Sequence, residues 1–201
     1  LVGIAFLICK ILALPPPLLA VGLMLLAASP GGSTANLFSY LYKGDIALNI
    51  TLTAINALIA AVFLPIIVNF SILHFMHEGQ QVGLQFAKVL QVFAIIKERN
   101  NLIEYIGQIG FATALFCAIS LCIGYFVPRL FGIGSYQARA CAFEIGIHNS
   151  TLAMIIALTI MASTNIAMPA VVYSIFMYIF ATIFGMLITR FGTQEVMKLN
   201  L

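Results

Sequence analysis

Long uninterrupted apolar runs constrain this chain more than any other feature of its sequence. Five runs reach the roughly 20 residues that an α-helix needs to cross a bilayer, and they cover residues 18–42, 46–73, 102–127, 138–162 and 166–191. Charged side chains make up only 7% of the chain, whereas about 25% is typical of soluble domains. We therefore predict an all-α integral membrane protein with a single transmembrane domain over residues 1–201.

Charge and cysteine usage exclude several other classes of protein. Nine Lys and Arg residues stand against six Asp and Glu residues and form no basic patch, so no nucleic-acid partner is indicated. The cysteines lie in apolar runs without C-x-x-C spacing, which indicates neither a zinc site nor a disulfide framework. We interpret all four as buried thiols, namely Cys9, Cys117, Cys122 and Cys141.

A short apolar run at residues 84–96 decides how the loops divide between the two sides of the membrane. Cytoplasmic loops hold the surplus of Lys and Arg. If this run does not cross the membrane, five basic residues share one side: Lys43, Arg129, Arg139, Arg190 and Lys198. If it crosses, these five residues divide between the two sides of the membrane. We therefore predict a re-entrant half-helix, or a missing stretch between residues 96 and 97, and we expect missing residues before residue 1.

Two of the long runs contain helix-breaking sequence near mid-membrane. In residues 29–34, Ser-Pro-Gly-Gly-Ser-Thr, Pro removes a backbone donor and the glycines add freedom, so one helix should end near Ser29 and another begin near Ser33 or Thr34. The second break, at residues 144–151, is weaker and has one Gly among polar residues. Interrupted helices in corresponding positions of two halves are typical of the binding site of a secondary transporter.

Glu144 is the only acidic residue deep within a full-length apolar run, because Glu104 lies at the start of its run. A carboxylate at mid-bilayer costs at least about 2.5 kcal/mol, so it needs a cation, a proton or a water-filled cavity. His148 follows four residues later, and these two groups alone do not make a zinc site. Neutral oxygens cluster beside both breaks: Asn36, Asn49, Thr51, Thr53, Asn149, Ser150 and Thr151. Hard cations take oxygen ligands, although each polar residue alone could simply form an interhelical hydrogen bond.

Two longer motifs resemble the bile acid:sodium symporter family in its bacterial form. They are Ala-Ser-Pro-Gly-Gly-Ser-Thr-Ala-Asn at residues 28–36, followed by residues 40–53, and Phe-Glu-Ile-Gly-Ile-His-Asn-Ser at residues 143–150. The resemblance covers nearly the whole chain. It implies ten helices in two inverted repeats, with a panel domain, a core domain, and two sodium sites where two discontinuous helices cross.

The same resemblance assigns segments of this chain to parts of the ten-helix fold, and it implies that some helices of that fold are missing here. Core-type helices would occupy residues 17–73 and 102–162. The remaining helices would occupy residues 1–14, 84–96 and 166–191.

Position by position, the resemblance also implies the ligands. The first sodium site would use Asn36, Asn49, Thr53 and Glu144. The second would use Glu144, His148 and the backbone carbonyls of Ile145 and Ile147. The substrate would lie near Thr34, Asn149 and Ser150. There are three departures: Ala35 stands where a serine often binds sodium, Asn49 replaces another serine, and His148 stands where many members have Gln.

We therefore expect a sodium-coupled symporter rather than an enzyme, with Na⁺ as coupling ion. Its partners would be sodium ions, the lipid bilayer and an organic anion such as a bile acid or a small organic acid. Its location would be the cell (inner or plasma) membrane, as a multi-pass protein. One alternative is a proton-coupled carrier or exporter with Glu144 and His148 as the proton relay. A less favoured one is an intramembrane enzyme with Glu144 as general base and Ser150 as nucleophile.

Overall fold

A computed structural model describes residues 1–14, 16–76 and 102–199, with the backbone alone at residues 102 and 191–199. The predicted helix at residues 84–96 lies outside these ranges. Every regular element within them is a helix, which confirms the all-α prediction. They are α1 (Val2–Ile11), α2 (Pro17–Ala28), α3 (Thr34–Leu41), α4 (Ile46–Phe75), α5 (Leu102–Leu130), α6 (Ser135–Gly146), α7 (Ser150–Ile155) with a π-helical continuation (Ile156–Ile160), and α8 (Thr164–Leu199).

Three of the five long apolar runs form uninterrupted helices that can span a membrane: Ile46–Phe75, Ile103–Leu130 and Thr164–Arg190. The other two are divided at the predicted breaks. Helix α2 ends at Ala28 and α3 begins at Thr34, while α6 ends at Gly146 and α7 begins at Ser150. The described chain is therefore a multi-pass membrane protein.

Side-chain caps fix the starts of two helices. The Asp45 carboxylate accepts the backbone N–H of Leu48 at 3.0 Å and begins α4. The Asn149 side chain accepts the backbone N–H of Leu152 at 3.0 Å and begins α7. Each satisfies an N–H that has no partner within its helix. Helix α3 has no such cap at Ser33.

Helix α2 forms the centre of the described core. Its residues from Leu19 to Ala27 are all buried, as expected for a helix that is apolar on every side. It packs against α1, α4 and α8. Gly22 permits the closest approach, because a Cβ there would overlap the Ile166 carbonyl and the Pro169 ring of α8.

Helix α4 is mostly exposed, in contrast to α2. Only Asn49, Ala60, Leu64, Val68 and Ser71 are buried along its length. The remaining surface is largely apolar and includes many large exposed side chains, which suits contact with lipid. The polar residues that α4 contributes to the interior therefore lie on one narrow face.

The interpretation of all four cysteines as buried thiols is only partly correct. All four are free; Cys9 and Cys117 are buried and Cys141 is half-buried. Cys122 is exposed, because one face of α5 is not covered by the other described helices.

Candidate functional site

The two helix breaks lie side by side and hydrogen-bond to each other. The N–H of Gly32 donates to the Ile147 carbonyl at 2.6 Å, and the N–H of Asn149 donates to the Pro30 carbonyl at 2.8 Å. The pair forms a short antiparallel bridge. Each break thereby satisfies backbone groups that the other leaves free, as irregular backbone at membrane depth requires.

The Glu144 carboxylate lies in the last turn of α6 beside this bridge and is only 2% exposed. Its Oε2 accepts the Thr53 hydroxyl at 2.5 Å, and its Oε1 accepts the Asn56 amide at 3.0 Å. Both donors come from α4 and are three residues apart, so they share a helix face. Neither donor is charged, so neither neutralises the carboxylate.

Gly31 brings the backbone of the first break against this carboxylate. A Cβ at Gly31 would overlap both oxygens of Glu144. The backbone φ of Gly31 is not in the left-handed region. The sequence therefore predicted a conformational role for this glycine, whereas the structure gives it a steric one: it leaves room for the carboxylate.

Asn49 is fully buried and joins three helices. Its amide nitrogen donates to the Ser39 hydroxyl at 2.6 Å and to the Ala140 carbonyl at 3.1 Å, with the Ala35 carbonyl at 3.4 Å. Its side-chain oxygen lies 3.5 Å from the Thr53 hydroxyl. The nitrogen therefore ties α3 and α6 to α4, while the oxygen points toward Thr53.

Asn36 carries a buried side-chain oxygen, Oδ1, that has no hydrogen-bond partner. Buried polar atoms are nearly always paired, and an oxygen without a donor suits a cation. Helices α2 and α6 both end at the breaks, and helix C-termini favour positive charge. Together with Asn49, Thr53 and Glu144, Asn36 offers the oxygen ligands that a hard ion such as sodium takes.

The donor set does not suit a transition metal. The described part of the chain contains no group of three or more His, Cys, Asp and Glu residues that could hold a metal ion. Sodium therefore fits these residues better than zinc.

His148 is buried away from the carboxylate. Its Nδ1 lies 3.3 Å from the Ser29 carbonyl, its ring stacks on Phe116 at 5.3 Å, and it meets the edge of Tyr173 at 5.6 Å. Its Nε2 has no hydrogen-bond partner. No hydrogen bond joins His148 to Glu144 in the described structure, so a direct proton relay between them is not assembled.

The other predicted residues lie around the breaks. Thr34 is the first residue of α3 and is half-buried, and Ser150 is the buried first residue of α7. No hydrogen bond joins Ser150 to Glu144 in the described structure, so the pair needed for the enzyme alternative is not formed. Thr51 lies away from the site: it is exposed, and its hydroxyl donates to the Ala47 carbonyl of its own helix.

Two cavities adjoin the breaks. One of about 420 Å³ lies beside Glu144 and is lined by both breaks, by Asn56, Ile145 and His148, and by apolar residues of α1 and α4. A larger groove of about 620 Å³ runs between α4 and α7, with Asn149 and Pro30 in its lining. Neither lining contains Lys or Arg in the part of the chain that the structure describes.

Asn56 is the site residue that the sequence analysis missed. It contacts Glu144 directly, yet it was not among the predicted ligands. A signal was present, because Asn49, Thr53 and Asn56 are spaced by four and three residues and so share one face of α4.

Comparisons with known proteins find relatives of this sequence. The model of the Sodium Bile acid symporter family matches residues 1–97. A protein of Arabidopsis thaliana named "Probable sodium/metabolite cotransporter BASS1, chloroplastic" is 25% identical over 85% of this chain and 52% of its own length. "Uncharacterized sodium-dependent transporter YocS" of Bacillus subtilis (strain 168) is 24% identical over 91% of this chain and 67% of its own length.

The chain spans about half the length of the plant relatives that it matches. In sequence the chain is similar to proteins named as sodium-dependent transporters, and its three long apolar helices can span a membrane. The predicted resemblance to the bile acid:sodium symporter family is confirmed.

Proposed function

We propose that this chain forms the ion-binding part of a sodium-coupled symporter for an organic anion. The observation that carries the proposal is the meeting of both helix breaks at the Glu144 carboxylate. Asn36, in the first turn of α3 after the first break, adds a buried oxygen without a hydrogen-bond partner. A buried carboxylate with neutral partners favours a cation, because the membrane interior penalises its unpaired charge.

The first sodium site would use Asn36, Asn49, Thr53 and Glu144. Thr53 can serve as a ligand because its hydroxyl has a second acceptor, the Asn49 backbone carbonyl at 3.0 Å. Donation to that carbonyl would turn an oxygen lone pair toward the ion. Glu144 would supply the negative charge, and the asparagines would supply neutral oxygens.

The second sodium site would use Glu144 with the carbonyls of Ile145 and Ile147, and with His148. The Ile147 carbonyl already accepts the N–H of Gly32, and the His148 ring faces Ser29. A carbonyl has two lone pairs, so Ile147 can still bind an ion. His148 would contribute Nε2, which has no hydrogen-bond partner in the described structure, while Nδ1 stays beside the Ser29 carbonyl.

The substrate would lie near Thr34, Asn149 and Ser150. The 620 Å³ groove reaches Asn149 and is otherwise mainly apolar, which suits an organic body. Because the described lining contains no Lys or Arg, bound sodium would supply the charge that offsets the anion. Sodium would then raise the affinity for substrate, and substrate would raise the affinity for sodium by the same factor.

The proposed architecture is an inverted repeat with two crossing discontinuous helices. In support, two sets of helices follow the same order along the chain, namely a helix, an interrupted span and a long helix. The first set is α1, α2/α3 and α4, and the second is α5, α6/α7 and α8. Transport would follow from movement of this unit against other helices of the full-length protein. The cell membrane is its proposed location, although plant relatives carry "chloroplastic" in their names.

The test is the melting temperature of the full-length protein in detergent, titrated with NaCl against choline chloride at equal ionic strength. A ligand that binds only the folded state raises stability, so sodium should raise the melting temperature. Glu144→Gln and Asn36→Ala should each abolish the rise. Glu104→Gln is the matched control, since Glu104 is exposed in the first turn of α5 and accepts the Gln108 amide of its own helix. A sodium effect that survives in Glu144→Gln would contradict the proposal.

A further inference from the structure

Asn56 occupies a position that a second carboxylate could fill. Its Nδ2 lies 3.0 Å from Oε1 of Glu144, whereas the Thr53 hydroxyl contacts the other carboxylate oxygen, Oε2. Asn56 is half-buried and lines the 420 Å³ cavity. Asn56 and Glu144 therefore both border the space from which a ligand can approach.

The net charge of the site depends on whether position 56 carries a neutral amide or a second carboxylate. Among the residues that the structure describes, Glu144 is the only acidic side chain that lines the cavity, and both of its side-chain donors are neutral. Two carboxylates at hydrogen-bond distance either share a proton or hold a cation between them. The affinity of oxygen sites for divalent ions rises with the number of charged ligands.

We propose that Asn56 is a specificity-determining residue: its neutral amide keeps the site to one carboxylate and so to monovalent cations. The inference rests on the proposed function, because it specifies which ions the Glu144 site accepts. Asn56 also positions the carboxylate. Its hydrogen bond holds Glu144 against α4, and the absence of a side chain at Gly31 leaves room for the carboxylate there.

Asparagine and aspartate have nearly the same shape, so Asn56→Asp changes charge with little change in packing. In the variant, a carboxylate oxygen would take the place of a nitrogen that lies 3.0 Å from Glu144. In the absence of divalent ions the two groups would repel, and the melting temperature should fall. Calcium should reverse that fall, because it would bridge the two carboxylates.

The experiment measures the melting temperature of the full-length protein in detergent with CaCl₂, NaCl or choline chloride at equal ionic strength. Asn56→Asp should gain a calcium-dependent rise of several degrees that the wild type lacks. The double variant Asn56→Asp/Glu144→Gln should lose that rise. Absence of a calcium effect in Asn56→Asp, or its persistence in the double variant, would overturn the inference.

Asn56→Ala provides an independent measurement. Loss of a hydrogen bond to a charged group should raise the half-saturating sodium concentration about tenfold, whereas Thr51→Ala on the same helix should leave it unchanged. An unchanged value in Asn56→Ala, with a responsive wild type, would overturn the positioning role. A wild type indifferent to sodium, with Asn56→Asp still gaining its calcium effect, would instead overturn the proposed function and leave the role of Asn56 supported.

Discussion

The two helix breaks contribute different groups to the site, although each interrupts a membrane span. The first, between α2 and α3, carries no ionisable side chain and supplies space at Gly31 and the neutral oxygen of Asn36. The second, between α6 and α7, supplies the charge of Glu144 and a side-chain cap at Asn149. A carboxylate can therefore be buried at this depth because one break provides it and the other makes room for it.

The largest expected effect comes from filling the space at Gly31. Gly31→Ala would place a Cβ against both oxygens of Glu144, so the carboxylate must leave Thr53 and Asn56. Overpacking of this kind costs about 3 kcal/mol, and the sodium-dependent rise in melting temperature should disappear.

Gly32→Ala is the matched control for that substitution. Its Cβ would lie 3.1 Å from the His148 carbonyl oxygen and would not reach the carboxylate. The sodium response should persist in this variant. Equal sodium responses in the two variants would show that Gly31 does not make room for the charge.

A smaller effect on sodium binding is expected when the Thr53 hydroxyl, a neutral donor on α4, is removed. Thr53→Ala removes one hydrogen bond to Glu144, and the loss of such a bond costs about 1.5–3 kcal/mol. The half-saturating sodium concentration should rise at least about tenfold in a thermal-shift titration.

Thr51→Ala is an unusually close control for Thr53→Ala. Both hydroxyls donate to the carbonyl four residues earlier, at 2.9 Å and 3.0 Å. Only Thr53 also contacts Glu144. If both variants shift the sodium titration equally, the effect arises from the helix backbone rather than from the site.

The smallest expected effect is on the free energy of unfolding, and it should differ between the residues that precede α7 and α3. Asn149→Ala removes the side-chain cap of α7 and should lower the free energy of unfolding by about 1 kcal/mol. Ser33→Ala should have almost no effect, because Ser33 makes no capping hydrogen bond to α3. Reversible unfolding in detergent with denaturant measures both, and a comparable loss in Ser33→Ala would contradict the difference between the breaks.

Several parts of the site could be predicted from sequence because they depend on local chemistry. The Pro-Gly-Gly sequence ends α2 near Ser29, and Glu144 stands out as an acid within an apolar run. The contact between Asn56 and Glu144 could not be predicted in this way. It depends on how α4 and α6 are rotated against each other, and residues 88 positions apart in sequence carry no local signal of that rotation.

His148 shows the limit of spacing as a guide. Four residues separate it from Glu144, which would place both on one helix face if the helix continued. Because α6 ends at Gly146, the backbone turns and the ring packs beside Phe116 and Tyr173 instead.

The sequence by itself determined that the chain lies in a membrane, where its helices break, and which carboxylate is buried. These properties follow from hydropathy over a span and from the backbone chemistry of Pro and Gly, which act within a few residues. Only the tertiary structure decided that the two breaks pair with each other, that Gly31 makes room for Glu144, and that Asn56 and Thr53 hold it. These contacts join separate helices, so their relative positions and rotations determine which side chains meet.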